Sequence, residues 1–239
     1  MKTVAVIQAR HTSSRLPGKM LLPLCNIPVI AHIIARAQSV SEIDQVCVTI
    51  PEGEAQRPLA DYIGTLDNIH LSRGPEENLL RRFAVAATET KADTVIRLWG
   101  DCPAIDPALI QHLLREFHIA KTDWAYLSDD SGYPLGNECQ VFDTHVLQAA
   151  DQEVASAQDK EFVHTYLEKN EVRFSCRKVY RDRMPSKQVN RPQLLLDTAT
   201  DYSNLCQIFE ALYLTSPVFG VSNVERFAKV RPELFQSTS

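Results

Sequence analysis

The stretch QARHTSSRLPGK, residues 8–19, sets Arg10, Arg15 and Lys19 among Ser13, Ser14 and Gly18, directly after the apolar run TVAVI. Arginine offers a planar fork of donors and lysine a compact point charge, and both suit phosphate oxygens. Backbone N–H groups of a turning loop, with the two serine hydroxyls, could complete a cradle for them. Leu16-Pro17-Gly18 would stiffen the loop and then turn it. A solvated surface loop is the alternative, and composition alone leaves both open. The chain contains neither the P-loop pattern G-x-x-x-x-G-K-[ST] nor the dinucleotide fingerprint G-x-G-x-x-G.

Two carboxylates stand in matching positions. RLWGDCPAIDP puts Asp101 just past one apolar run, and QLLLDTATD puts Asp197 just past another. Either alone could be a turn residue or a helix N-cap. As a pair they suit Mg2+, which takes one or two carboxylates and completes its shell with phosphate oxygens and water. Together with a phosphate cradle they predict a nucleotide–metal site. Arg97 would lie beside it, with a structural role as the alternative.

Residues so far apart in the chain need a frame that joins them. TVAVIQA (3–9) has the continuous β-branched character of a strand buried on both faces. QVCVTI (45–50), IHLSRG, DTVIRLWG (93–100) and QLLLD (193–197) predict further strands. PVIAHIIARAQSV (28–40) predicts a helix with Pro28 in its first turn and Ile30, Ile33, Ile34 and Ala37 on one face. QRPLADYIGTL, EENLLRRFAVAATETK (76–91) and TDYSNLCQIFEALYL read as helices. So does DPALIQHLLREFHIAK (106–121), with Asp106 as N-cap and Pro107 at the first helical position. This alternation implies a mainly parallel sheet with helices on both faces, and ligands then bind beyond the carboxyl ends of its strands.

After residue 121 the pattern loosens. DWAYLSDDSGYPLGNECQVF has the turn residues and alternating apolar positions of an inserted antiparallel ribbon. DTHVLQAADQEVAS and QDKEFVHTYLEKN read as helical, and VRFSCRKVY as a strand. The expected organisation is one α/β domain over residues 1–239, with an excursion near 124–190. His32, His70, His112, His118 and His145 are expected at the surface.

Composition bounds the partners. Lys and Arg number 25 against 30 Asp and Glu, a net charge of −5, so no excess of positive charge awaits nucleic acid or an anionic membrane surface. Apolar residues make up 44%, enough for a sizeable core. The six cysteines show neither C-x-x-C pairs nor zinc-site spacing, and free thiols in a reducing cytosol are expected. The opening MKTVAVIQARH has too short an apolar run for a signal peptide, and no apolar segment is long enough for a membrane span. A cytoplasmic protein is expected.

The run IQARHTSSRLPGKMLLPLCNIPVIAHIIARA resembles the N-terminal signature of bacterial cytidylyltransferases that make CMP-activated acidic sugars. Within them it is most similar to the spore-coat-polysaccharide type, whose related enzymes activate neuraminic acid, Kdo and pseudaminic acid. The R-x-x-S-x-R-L-P-G-K core is met by Arg10, Ser13, Arg15, Leu16, Pro17, Gly18 and Lys19. RGPEENLLRRF, RLWGDCPAIDP and LLLDTATD resemble the same group in order and spacing. The resemblance implies a nucleotide-diphosphosugar-transferase-like fold, a homodimer with the excursion at its contact, and transfer of CMP from CTP to an acidic sugar with release of pyrophosphate, in surface-glycan biosynthesis. It implies that Arg10, Ser13, Ser14, Arg15, Gly18, Lys19 and Arg97 hold CTP, that Asp101 and Asp197 hold Mg2+, and that Lys19 joins these two in catalysis. A sugar phosphate or phosphonate acceptor, or a non-catalytic nucleotide-binding protein of the same fold, are the alternatives.

The middle of the chain departs from that group. GNECQVF has Gln140 where relatives often carry Glu; KEFVHTY, with His164, replaces R-E-H-V-T; Gln193 stands where an Arg is common. These three residues are expected to face the acceptor and to set its identity.

Overall fold

The computed structural model describes residues 1–182 and 191–235. Strand β1 (Thr3–Gln8) runs into the basic loop, a 3-10 turn (Lys19–Leu21), and a short ribbon of β2 (Pro23–Leu24) and β3 (Ile27–Pro28). Helix α1 (Val29–Gln38), β4 (Gln45–Pro51), α2 (Arg57–Gly64), β5 (Ile69–Gly74), α3 (Leu79–Thr90), β6 (Thr94–Trp99) and α4 (Pro107–Ala120) follow in alternation. Next come β7 (Trp124–Leu127), β8 (Cys139–Asp143), α5 (Thr144–Glu153), the short α6 (Ala157–Glu161) and α7 (Thr165–Lys169), and β9 (Cys176–Lys178). Helices α8 (Ala199–Leu212) and α9 (Val221–Ala228) and a 3-10 turn (Pro232–Phe235) close the described chain.

The main sheet has the order β5-β4-β1-β6-β8-β7-β9. Its described strands run in one direction except β8, which is antiparallel to both β6 and β7. Period-two alternation divides β1 between two cores. Ala5 and Ile7 pack with Ile30 and Ile33 of α1, while Val4 and Val6 pack with Leu80 and Phe83 of α3. Helices α1, α2, α4 and α8 cover the first face; α3 and α5 cover the second. Helix starts follow the expected chemistry. The Asp106 carboxylate accepts from the Ala108 N–H at 2.9 Å ahead of Pro107, and Asn78 accepts from the Arg81 N–H at 2.9 Å, which begins α3 at Leu79 rather than at residue 76. Pro28 is the N-cap of α1, one residue ahead of its first turn.

The antiparallel pairing expected in the excursion is present as β7 and β8, and both strands join the main sheet, β8 beside β6 and β7 between β8 and β9. Trp124 explains their burial: its ring stacks on Phe142 at 6.0 Å and on Tyr126 at 5.0 Å. The last part of the excursion, residues 183–190, lies outside the described residues.

Two expectations fail. QLLLD does not form a strand of the sheet; its only bridge among the described residues is a parallel pair between Leu135 and Gln193. Leu194 and Leu196 are buried, 1% and 0% exposed, so the apolar pattern records packing against the first core rather than ladder pairing. His32 is not a surface residue but is 3% exposed. Its Nε2 lies 2.9 Å from the Leu24 carbonyl, and its ring packs edge-on to Phe209 and Tyr213.

Burial lowers the pKa of His32 from 6.5; the Leu24 carbonyl opposes that shift and Arg36 adds to it. The folded chain therefore holds the ring neutral at a pH where the unfolded chain protonates it. The His32 contribution to stability is complete above pH 6.5 and is lost as pH falls below that value, by at most about 1.4 kcal/mol per pH unit for one proton. His164 is shifted the same way by burial and adds to the effect. Urea midpoints at pH 7.5 and 5.5 are expected to differ less in His32→Gln than in the unmodified chain; equal pH dependence in the two would contradict this account.

Candidate active site

Three segments meet at the carboxyl edge of the sheet: the loop after β1, the turn after β6, and the extended segment ahead of α8. They border a cleft of about 510 Å³ lined by Arg10, Ser13, Ser14, Arg15, Lys19, Asp101 and Asp197, among others.

The loop is a fixed shape. Gly18 takes φ +70°, where a side chain would be strained, and turns the chain into the 3-10 helix that carries Lys19. The N–H groups of Gly18 and Ser13 both donate to the His11 carbonyl, at 3.0 and 3.1 Å. Gln56 clamps the loop from outside. Its Oε1 accepts from the His11 N–H at 2.6 Å and its Nε2 donates to the Thr12 hydroxyl at 2.9 Å.

Lys19 is the hub. Its side chain is only 10% exposed, and its Nζ donates to the Leu196 carbonyl at 2.7 Å. The ammonium lies 3.6 Å from Asp101 Oδ2 and 3.5 Å from Asp197 Oδ1. Arg15 approaches the other oxygen of Asp197 at 2.5 Å. The Leu196 N–H in turn donates to the Asp101 carbonyl at 2.8 Å. One residue, Leu196, thus ties all three segments together through its two backbone groups.

Each aspartate is positioned by its backbone. Gly100 N–H donates to the Gln8 carbonyl at 2.9 Å, and a Cβ there would sit 2.6 Å from that oxygen and 2.9 Å from Met20 Sδ. Only glycine lets the end of β6 close on β1 and set Asp101 beside Lys19. Asp201 fixes Asp197. Its Oδ2 accepts from the N–H groups of Asp197 and Thr198, at 3.1 and 2.8 Å, within the capping box that starts α8. Neither Asp101 nor Asp197 is itself an N-cap; those places belong to Asp106 and Thr198.

Two carboxylates converging beside this basic cleft form a donor set that fits a hard divalent cation, with phosphate and water completing the shell. No group of three or more metal-binding side chains occurs among the described residues, so any cation here would depend on its ligand for part of its shell.

Deeper in the cleft lies Arg97, 3% exposed. It donates to the side-chain carbonyls of Gln8 at 2.8 Å and Gln140 at 3.0 Å, and its guanidinium stacks over Trp99 at 4.4 Å. Burial draws its pKa down to about 9; Asp101 opposes the shift and Arg82 reinforces it. Arg97 therefore remains charged at neutral pH. His164 also lines the cleft, and its Nδ1 is buried without a partner.

Arg10, with Glu76 at 4.0 Å, joins this group, so the nucleotide and metal residues expected from sequence come together. The acceptor residues divide. His164 faces the cleft, whereas Gln140 stands behind Arg97 on the paired strand and reaches the cleft through it. Gln193 is not brought to the cleft. It precedes Asp197 by four residues of extended chain, on the order of 13 Å, and its N–H bonds to the Phe235 carbonyl. Gln8, Gln56, Arg82 and Asp201 escape sequence reasoning. Asp201 alone had a local signal, the T-x-x-D spacing of a capping box.

A family model for cytidylyltransferases matches residues 4–226. The chain belongs to the cytidylyltransferase family. As a member of that family it is 24% identical over 210 residues to the spore coat polysaccharide biosynthesis protein SpsF of Bacillus subtilis (strain 168), covering 86% of this chain and 85% of that one. Over 150 residues it is 30% identical to a 3-deoxy-manno-octulosonate cytidylyltransferase of Escherichia coli, and the match covers 63% of this chain but about half, 54%, of that enzyme. The solved structure of a cytidylyltransferase from Leptospira borgpetersenii serovar Hardjo-bovis (strain JB197) has a TM-score of 0.89 over 100% of this chain and 98% of that one, at 24% identity. The mainly parallel sheet with helices on both faces is therefore the architecture of a nucleotidyltransferase fold. Among the described residues no helix is long and apolar enough to cross a membrane.

Proposed function

We propose that this chain transfers CMP from CTP to an acidic sugar and releases pyrophosphate. The arrangement of Lys19 and Arg15 against Asp101 and Asp197, at the foot of a basic loop, is the observation that carries the reading. Arg10, Ser13 and Ser14 would receive phosphate oxygens at the mouth of the loop. Arg15 and Lys19 would neutralise the departing pyrophosphate. Gly18 contributes the turn, since its N–H is already bonded within the loop. Asp101 and Asp197 would hold Mg2+, which supplies charge stabilisation at the α-phosphate. The acceptor hydroxyl would approach from the side of Arg97 and His164. Positioning and fixed charge then account for catalysis, with no covalent intermediate on the protein.

The reading extends to a CTP-dependent cytoplasmic enzyme of one domain and to a homodimer in which the 124–190 excursion contributes to the contact; sedimentation velocity tests the dimer. The direct test is pyrophosphate release, with each of CTP, UTP, ATP and GTP assayed against a panel of acidic sugars and sugar phosphates. CTP is expected to exceed the other nucleotides at least tenfold in kcat/KM with an acidic sugar. Equal thermal stabilisation by all four nucleotides, with no pyrophosphate released from any pair, would overturn the proposal.

A further inference from the structure

The cleft contains two buried guanidinium groups that no carboxylate neutralises by contact. Arg82, on α3, is 6% exposed, and its Nε and Nη1 are buried without a hydrogen-bond partner. Arg97, on β6, is 3% exposed, and both of its side-chain partners are neutral amides, Gln8 and Gln140. Among the described residues neither arginine forms an ion pair. Glu76 and Asp101 act on them only from a longer distance, while Arg10 and Arg82 add repulsion. A buried charge without a partner is unfavourable unless something else supplies the partner. A ligand anion is the group that could do so here.

Resting on the reading of the chain as a CMP transferase, we propose that Arg82 and Arg97 anchor the anionic group of the acceptor, which takes Arg97 out of the set that the resemblance assigns to CTP. Three further observations place that group with the acceptor rather than with CTP. The phosphate loop already has its own cations in Arg10, Arg15 and Lys19. The pair stands on α3 and β6, elements other than the loop that carries those cations, although Arg10 is near enough to act on Arg82. His164 brings a buried, unpartnered Nδ1 to the same wall; burial keeps its ring neutral, so it can serve a sugar hydroxyl. Gln140 then has a defined part. A glutamate at that position would neutralise Arg97, whereas the amide orients the guanidinium and leaves its charge to the ligand.

The test uses the full chain saturated with Mg2+ and CTP in its non-cleavable α,β-methylene form, so that the phosphate loop is filled and no pyrophosphate can leave during the titration. Inorganic phosphate, 3-deoxy-manno-octulosonate and glucose 1-phosphate are titrated by calorimetry into the unmodified protein, Arg82→Met and Arg82→Lys. Anion affinity is expected to fall at least tenfold in Arg82→Met and to be largely retained in Arg82→Lys, with CTP affinity within twofold in both. The ligand-free Arg82→Met protein is expected to melt above the unmodified one, because an uncompensated buried charge has been removed; a merely structural arginine would give the opposite shift. The tighter of the carboxylate and phosphate ligands identifies the group the anchor takes. Equal anion affinity in the unmodified chain and Arg82→Met, or no anion binding to the CTP complex, would overturn the proposal. If CTP itself fails to bind while phosphate binding still depends on Arg82, the CMP-transfer reading falls and the anion site stands.

Discussion

Exchanging Lys19 for Met is expected to weaken CTP binding and to lower turnover by about 10²–10³, the usual effect of removing one charge stabiliser from a preorganised site. The substitution keeps an unbranched apolar stem that ends one atom short of the ammonium it deletes. Asp101 and Asp197 then face each other without the cation at 3.6 and 3.5 Å, and the Leu196 carbonyl loses its 2.7 Å donor. The unmet carbonyl should also cost about 1–3 kcal/mol of folding stability. Lys19→Arg is not expected to rescue either quantity, because a planar fork does not fit a buried point at which three oxygens converge. Calorimetric titration with CTP and urea denaturation, run on both variants, check the two effects separately. CTP affinity within twofold of the unmodified protein in Lys19→Met would remove Lys19 from the nucleotide site.

Asp101→Asn and Asp197→Asn should each abolish the Mg2+ dependence of CTP affinity and lower turnover by at least the same factor. An amide keeps the shape of the carboxylate but cannot offset a divalent charge. The result expected without metal runs the other way. In EDTA each variant should bind CTP as well as the unmodified chain or better, because a negative charge that repels triphosphate is gone. Asp197→Asn should show the larger gain, since it also releases Arg15 from its 2.5 Å contact. A double variant is expected to lose little beyond either single one, as carboxylates sharing one ion do not act independently. Mg2+ titrations of CTP affinity give all of these quantities. An Asp101→Asn protein that still gains affinity on adding Mg2+ would assign that residue to backbone structure alone.

The frame and the gathering of the basic loop with the two aspartates are legible in the chain because their signals are local. Val4 and Val6 alternate with Ala5 and Ile7, so β1 had to be buried on both faces. Asp106 and Pro107 mark the start of α4 within two residues. The basic loop and the two aspartates follow apolar runs, and an open α/β sheet gathers such positions at one edge.

What sequence could not supply depends on contacts between remote residues. Gln56 reaches the loop across 45 positions and Lys19 reaches Leu196 across 177, and neither pairing leaves a periodic trace. QLLLD carries the apolar content of a strand, yet its backbone bonds Asp101, Leu135 and Phe235 in turn instead of one neighbour. Gln140 and Gln193 looked alike as departures from the resemblance; strand register put one against Arg97 and extended geometry carried the other away. Arg82 is hardest to find, since an arginine on a helix ordinarily points to water. The sequence by itself determined the layered fold and which basic and acidic side chains that fold gathers at one edge of the sheet, because burial pattern and residue type are local properties. Tertiary structure decided which charges are left without partners, because desolvation depends on everything packed around a group and not on its neighbours in the chain.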